Sequence, residues 1–142
     1  CALANDGPGA TAQNSVYHYL QSVSNKDPLK ACRADFVVLV TDGQPTGPGD
    51  IDPVTKLTWC DNPACGAVDP VAAGCPCTAV LSAFKLRKHL DVKTYVVDFG
   101  EEASMIVPRT INDFIAKAGG TGSAYLARNE KALQLELRNA VF

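Results

Sequence analysis

Residues 35–43 read DFVVLVTDG, an apolar run rich in β-branched residues that ends in a carboxylate. Four unbroken aliphatic residues of this kind predict a strand covered on both faces, as in a parallel sheet between helices. Asp42 then lies at the carboxyl end of the strand, where α/β proteins place ligand sites. The Asp-Gly pair is also a common turn former, so the motif alone leaves a turn and a site as alternatives.

The composition is typical of one globular domain. The 142 residues are 46% hydrophobic and 20% charged, and the formal net charge is -2. Lysine and arginine are scattered, apart from a short basic cluster over 85–89 that we interpret as a solvated helix face. No apolar stretch approaches the roughly 20 residues that cross a bilayer. We therefore predict no nucleic-acid partner and no membrane-spanning segment.

Six cysteines are a high and even number, which favours disulfide bonds and a location outside the cytoplasm. Four cysteines are crowded into one stretch, namely Cys60, Cys65, Cys75 and Cys77, and Cys1 and Cys32 lie outside it. The simplest pairing joins Cys1 to Cys32 and forms two bridges inside the crowded stretch. A four-thiolate zinc site is the alternative, although its ligand pairs usually have C-x2-C spacing, which is absent here. Because the sequence begins at a cysteine rather than methionine, we expect a processed or truncated chain.

Periodicity and capping residues predict four helices and three strands. The order is a helix capped by Thr11 and running to about Ser24, the strand over 36–41, a loop, a helix over 78–90, a strand over 92–99, a helix over 111–118, a strand over 123–127, and a helix capped by Asn129. The first helix should bury Val16, Tyr19, Leu20 and Val23. Such an order predicts a three-layer α/β fold with a parallel sheet. Three strands are few, so another segment should cover the edge of the first strand.

A loop over about 44–77 interrupts this pattern. It holds most of the prolines and four of the cysteines, and a loop of this length is usually functional or pinned covalently. Its acidic residues do not have the regular spacing of a calcium-binding loop, so we favour a solvated loop over a calcium site. These residues are Asp50, Asp52, Asp61 and Asp69.

Four segments outside this loop form one pattern: GAT over 9–11, FVVLVTDG over 36–43, VKTYVVDFG over 92–100 and IAKAGGTG over 115–122. Together they resemble the carboxyl-terminal two-thirds of a von Willebrand factor A domain. Three further features resemble the PilY-type adhesins at the tips of bacterial type IV pili. They are Cys32 before the strand, the form TDGQP over 41–45, and AGGTGSAY over 118–125 followed by Leu133. By this resemblance residues 1–142 form a partial domain of Rossmann-like type, with the loop over 44–77 as an insertion.

The resemblance implies a divalent metal site at the top of the sheet. Such domains hold the ion with a D-x-S-x-S motif on the first strand, a threonine from a following loop and an aspartate that ends the fourth strand. Thr11 matches the threonine and Asp42 the aspartate, and their hard oxygen atoms suit magnesium or calcium. A plain helix cap is the alternative role for Thr11. We assign Asp98, at the end of another buried strand, no more than a supporting role behind the ligands.

The D-x-S-x-S motif does not occur in this sequence. By the resemblance, the present strands are the fourth, fifth and sixth, and the absent first strand would pair with residues 36–41. We expect that strand to belong to another polypeptide or to an amino-terminal segment of the same domain. The alternative is a chain that has lost the site.

These features favour an extracellular, non-enzymatic adhesion or interaction module, exported through the periplasm to a cell surface or pilus. Its partner would be a protein or surface ligand, or a pilus component. A structural fragment with an inactive metal site and a Rossmann-like enzyme are the alternatives. Against an enzyme, the phosphate-binding glycine motifs and the Gly-x-Ser-x-Gly elbow are absent, and both histidines fall inside predicted helices.

Overall fold

The computed structural model describes residues 16–32, 34–42, 59–99 and 106–141. These contain four α-helices and three strands, in the order α1 (Val16–Lys26), β1 (Phe36–Thr41), α2 (Thr78–Leu90), β2 (Lys93–Phe99), α3 (Ile106–Ala118), β3 (Tyr125–Ala127) and α4 (Glu130–Val141). The strands form one parallel sheet in the order β1-β2-β3. The predicted α/β class and element order are confirmed for this part of the chain, which is compatible with a Rossmann-like fold.

The strand register gives the sheet two faces. On one face, Leu39 pairs with Val96 and Thr41 pairs with Asp98. This face packs against α2 and α3 through the main core, whose members from the sheet and these helices are Ala79, Val80, Ala83, Phe84, Val96, Ile111, Ile115, Ala116 and Ala118. On the other face, Val97 and Ala127 are buried, and α4 packs against β3 and β2. Helices therefore flank the sheet on both sides.

β1 is less buried than its sequence predicts. Phe36 and Val40 are 42% and 47% exposed, whereas Val96 and Val97 of β2 are fully buried. The physical reason is position: β2 has a neighbouring strand on each side, whereas β1 pairs with β2 alone in the described part of the chain. The prediction of a strand covered on both faces is wrong for β1 and correct for β2.

α1 packs against α2 with a different stripe from the predicted one. Val16, Tyr17 and Leu20 lie against a small core formed by Leu86 and Val92. Tyr19 is 66% exposed, so its predicted burial is wrong. Tyr17 occupies the interface instead and has its hydroxyl 3.4 Å from Nδ1 of His89. An amphipathic tyrosine suits such a position because its ring packs while its hydroxyl finds a polar partner.

The start of α4 and the end of α3 agree with the sequence. The Oδ1 atom of Asn129 accepts a hydrogen bond of 3.0 Å from the backbone N–H of Ala132, which caps α4. α3 ends at a pair of glycines, and Gly120 has the left-handed φ of 84° that favours glycine. Gly119 is needed for close packing, because its carbonyl accepts from the N–H of Thr94 and a Cβ there would lie 2.5 Å from the Cβ of Thr94.

Residues 59–77 form a compact knot, which is held by the Cys60–Cys77 and Cys65–Cys75 disulfide bonds. All four sulfur atoms of the crowded stretch are thus used, which confirms the two predicted bridges there and rules out the zinc alternative at these residues. The four cysteines are buried and join the main core. Cys32 is exposed and has no disulfide partner among the described residues. Because Cys1 lies outside them, the Cys1–Cys32 bridge stays a prediction.

The knot also contacts α3 and α2. Lys117 Nζ donates a hydrogen bond to the carbonyl oxygen of Gly66. The Gly66 Cα packs against the ring of Phe114. The Asp69 carboxylate lies 3.5 Å from Lys88 Nζ on α2. The carboxyl end of the predicted loop is therefore an ordered part of the domain.

We expect Gly119→Ala to lower the free energy of unfolding by about 1–3 kcal/mol, because the added methyl group overpacks the contact between α3 and β2. Urea unfolding measures the change. Ser123→Ala is the control: its side chain is exposed nearby, and the change should stay within about 0.5 kcal/mol. Equal stability of the two variants would contradict the close approach at Gly119.

Reduction should loosen the knot before it loosens the sheet. The two bridges span 17 and 10 residues, and each removes unfolded-state entropy worth about 3 kcal/mol in the chain-entropy model. Hydrogen exchange should therefore accelerate over 59–77 while β2 stays protected. A Cys32→Ser protein, treated in the same way, controls for the exposed thiol. Unchanged exchange across the knot after reduction, verified by mass, would show that the bridges do not stabilise it.

Candidate cation site at the carboxyl edge of the sheet

The carboxyl ends of β1 and β2 bring polar side chains to one edge of the sheet. Thr41 pairs with Asp98 in the register, and Asp42 follows Thr41 directly. Parallel strands end at the same edge, and neighbouring strands lie about 4.8 Å apart. Two carboxylates from adjacent strands therefore lie near the edge where α/β proteins bind ligands; Asp98 shares the sheet face of Thr41, and Asp42 lies one residue beyond the end of β1.

Asp42 is exposed, in a bend after the last residue of β1. This is the position that the sequence predicts, and the side chain is open to solvent and to a ligand. Thr11, the other predicted metal ligand, lies outside the described residues, so its proximity to Asp42 stays a prediction. Asp50 and Asp52 also lie outside them.

Asp69 has a structural role that the sequence did not indicate. Its Oδ1 atom accepts a hydrogen bond of 2.9 Å from the N–H of Ala72, and Lys88 pairs with the carboxylate. The hydrogen bond from the Ala72 N–H is the main cause that lowers the pKa of Asp69; desolvation opposes it, and the charge of Lys88 adds to the lowering. This carboxylate is therefore committed to a turn in the knot. Asp61, in the same knot, is exposed.

Asp98 is the most unusual polar residue of the edge. Its side chain is 1% exposed, and neither carboxylate oxygen has a hydrogen-bond partner. Burial is the main cause that raises its pKa; the adjacent Asn112 side chain and the Arg109 charge lower the pKa, and the Asp113 charge raises it. A buried carboxylate without hydrogen bonds is costly, and such groups concentrate at functional sites.

The neighbours of Asp98 on α3 compensate its charge only in part, because burial outweighs the stabilising effects of Asn112 and Arg109. Asn112 is neutral and fully buried, and Arg109 is exposed without a hydrogen bond to the Asp98 carboxylate. Asp113 is itself acidic, and its Oδ1 atom accepts a hydrogen bond of 2.8 Å from the N–H of Ala124. The sequence predicts only a supporting role for Asp98. It does not show whether the carboxylate has a hydrogen-bond partner, because that depends on side-chain geometry.

Within the described ranges, no three histidine, cysteine, aspartate or glutamate side chains cluster closely enough to hold a metal ion. Asp42 supplies one exposed carboxylate, and any further ligands would come from hydroxyl groups, backbone carbonyls or water, which magnesium and calcium both accept. No helix among the described residues is long and apolar enough to span a bilayer.

Comparison with known proteins adds no relative. No protein-family model matches the chain, and no curated protein or solved structure matches it. The functional assignment therefore depends on the residues and their arrangement.

The unfolding free energy should depend on pH through Asp98. Its pKa is raised above the ordinary value of 3.8 in the folded protein, so the stabilisation is complete below that value and is lost as pH rises through the folded pKa. In metal-free buffer, the wild type should lose more stability than Asp98→Asn between about pH 4 and neutrality. Urea unfolding across this range measures the difference. Parallel pH profiles for the two proteins would contradict the shift.

Proposed function

We propose that this chain is an extracellular adhesion or interaction module of a bacterial surface or type IV pilus tip protein. It binds a partner through a divalent cation at the carboxyl edge of the sheet and through surface loops. The observation that carries the proposal is the exposed Asp42 carboxylate directly after the last residue of a parallel strand.

The chemistry of this edge suits magnesium or calcium. Both ions bind carboxylate and hydroxyl oxygens, and magnesium keeps several water ligands when the protein supplies few. In this proposal Asp42 and Thr11 hold the ion, and a carboxylate from the partner replaces one of its waters. The bound ion supplies a positive charge that attracts the acidic group of the partner.

The disulfide knot supports both the location and a second contact surface. Two disulfide bonds are consistent with an oxidising compartment outside the cytoplasm. The knot carries exposed apolar side chains, namely Trp59, Val68 and Val71, of which Val68 is 82% exposed. Tryptophan is enriched in protein interfaces, and a pinned loop loses little entropy on binding.

The edge of β1 favours a second candidate function, assembly with another polypeptide segment. Phe36 and Val40 expose large apolar surfaces, and the strand contains no lysine or proline to prevent pairing. In this candidate function, a strand from a pilus component or from an amino-terminal part of the same domain pairs with β1 and covers these side chains. The cation site is then inactive, and the chain stabilises a larger assembly.

Asp42→Ala should abolish the binding of magnesium and calcium, because it removes the exposed carboxylate of the site. Isothermal titration calorimetry measures the affinity, and the unfolding free energy should change by less than about 0.5 kcal/mol, as expected for a surface substitution. Asp35→Ala is the matched control, since it removes an aspartate from the amino end of the same strand. Undiminished cation binding by Asp42→Ala would overturn the assignment. A wild type that binds neither ion would favour the assembly function.

A further inference from the structure

We propose that Asp98 is a neutral acid that donates a hydrogen bond to the Asn112 side chain, and that this pair is a pH-sensitive latch between β2 and α3. The latch is closed while Asp98 keeps its proton and opens when the proton is lost. This inference does not depend on the proposed cation site, because it concerns a buried contact inside the domain.

The register of β2 places Asp98 on the sheet face that α3 covers. Asp98 lies two residues after Val96, so both side chains are on the face that packs against α2 and α3 through the main core. Asn112 is fully buried on α3, next to the core residue Ile111, and its side chain is adjacent to the Asp98 carboxyl group. The two polar side chains therefore meet between a strand and a helix.

The oxygen atoms of this contact need a hydrogen-bond donor. Among the described residues, neither carboxyl oxygen of Asp98 and not the Oδ1 atom of Asn112 accepts a hydrogen bond. An ionised aspartate only accepts, and the amide donates from Nδ2 alone, so an ionised pair supplies no donor for Oδ1. One proton on Asp98 supplies it. The acid O–H then donates to Oδ1, while Nδ2 donates to the other carboxyl oxygen.

Burial favours the neutral acid. Asp98 is 1% exposed, and desolvation is the main cause that raises its pKa, whereas the Asn112 side chain lowers the pKa by a smaller effect. A buried charge without full compensation is costly, and a carboxyl group in such surroundings keeps its proton to higher pH. The neutral acid should therefore persist above the ordinary aspartate pKa of 3.8.

The charges that act on Asp98 within the described ranges come from α3. The Arg109 charge lowers the pKa of Asp98, and the Asp113 charge raises it. The neighbours of Asp98 in the register on β1 and β3 are uncharged, and the buried side chains of α2 are uncharged as well. Asp42, one residue beyond β1, is exposed to solvent. The proton on Asp98 therefore responds mainly to burial and to α3.

Opening of the latch should reach other contacts of α3. Asp113, the residue after Asn112, accepts a hydrogen bond of 2.8 Å from the N–H of Ala124 just before β3. Lys117 and Phe114 of the same helix contact the disulfide knot at Gly66. An ionised Asp98 loses its hydrogen bond to α3, so the helix should hold both the start of β3 and the knot less firmly as pH rises.

The wild-type protein tests the proton directly. The carboxyl ¹³C resonance of Asp98 and the side-chain amide resonances of Asn112 are followed by NMR in metal-free buffer between about pH 3 and pH 8. Both should titrate with one midpoint, which should lie above 3.8. A midpoint at or below this value would overturn the inference. An Asn112 amide that does not respond to the titration of Asp98 would overturn it too.

Hydrogen exchange tests the latch, with rates corrected for intrinsic chemical exchange. In the wild type, the α3 amides should exchange about tenfold faster above the Asp98 midpoint than below it. Asp98→Asn carries an amide donor at every pH, so its α3 should keep its protection throughout. Asp91→Asn is the control and should behave as the wild type; Asp91 is exposed and has a left-handed φ of 56°, which asparagine tolerates.

Two results of the exchange experiment would contradict the latch. One is wild-type protection of α3 that does not change through the Asp98 midpoint. The other is the same pH dependence in Asp98→Asn as in the wild type. If Asp98→Asn does not fold, the wild-type titration and the wild-type exchange profile decide the question.

Discussion

The parallel pairing of β1 with β2 is the constraint on which the fold and the site depend. Its register sets Leu39 beside Val96 in the main core and Thr41 beside Asp98 at the carboxyl edge. Because side chains alternate along a strand, a slip of one residue would move Leu39 out of the core and Asp98 away from the edge position. The apolar packing against α2 and α3 therefore also fixes the arrangement of the two carboxylates.

The disulfide knot and the helices stabilise this arrangement from one side. Cys77 immediately precedes α2, and its bridge to Cys60 ties the knot to the start of that helix. Lys117 and Phe114 connect the same knot to α3, the helix that carries Asn112 and Asp113 beside the buried carboxylate. The knot is thus linked through α3 to the buried carboxylate of Asp98. The exposed β1 edge has no equivalent cover in the described part of the chain.

Local signals in the sequence predicted the elements well, whereas properties that depend on neighbours were harder to predict. The bounds of α2 and the Asn129 cap follow from apolar periodicity and capping chemistry, and both agree with the structure. The sequence predicts too much burial for β1, because a central strand and an edge strand can have the same apolar sequence. Tyr17 rather than Tyr19 packs between α1 and α2, because the position of the neighbouring helix decides which side of an apolar stripe is buried. The missing partner of Asp98 is a matter of side-chain geometry, which no spacing rule reveals.

The claim at the centre of this account is that a divalent cation binds at Asp42, at the carboxyl end of β1. Anomalous diffraction from crystals grown with manganese, a hard cation that prefers the same oxygen ligands, tests it most directly. The account predicts an anomalous peak within bonding distance of the Asp42 carboxylate. A well-ordered carboxyl edge without such a peak, or manganese bound only elsewhere on the protein, would contradict it.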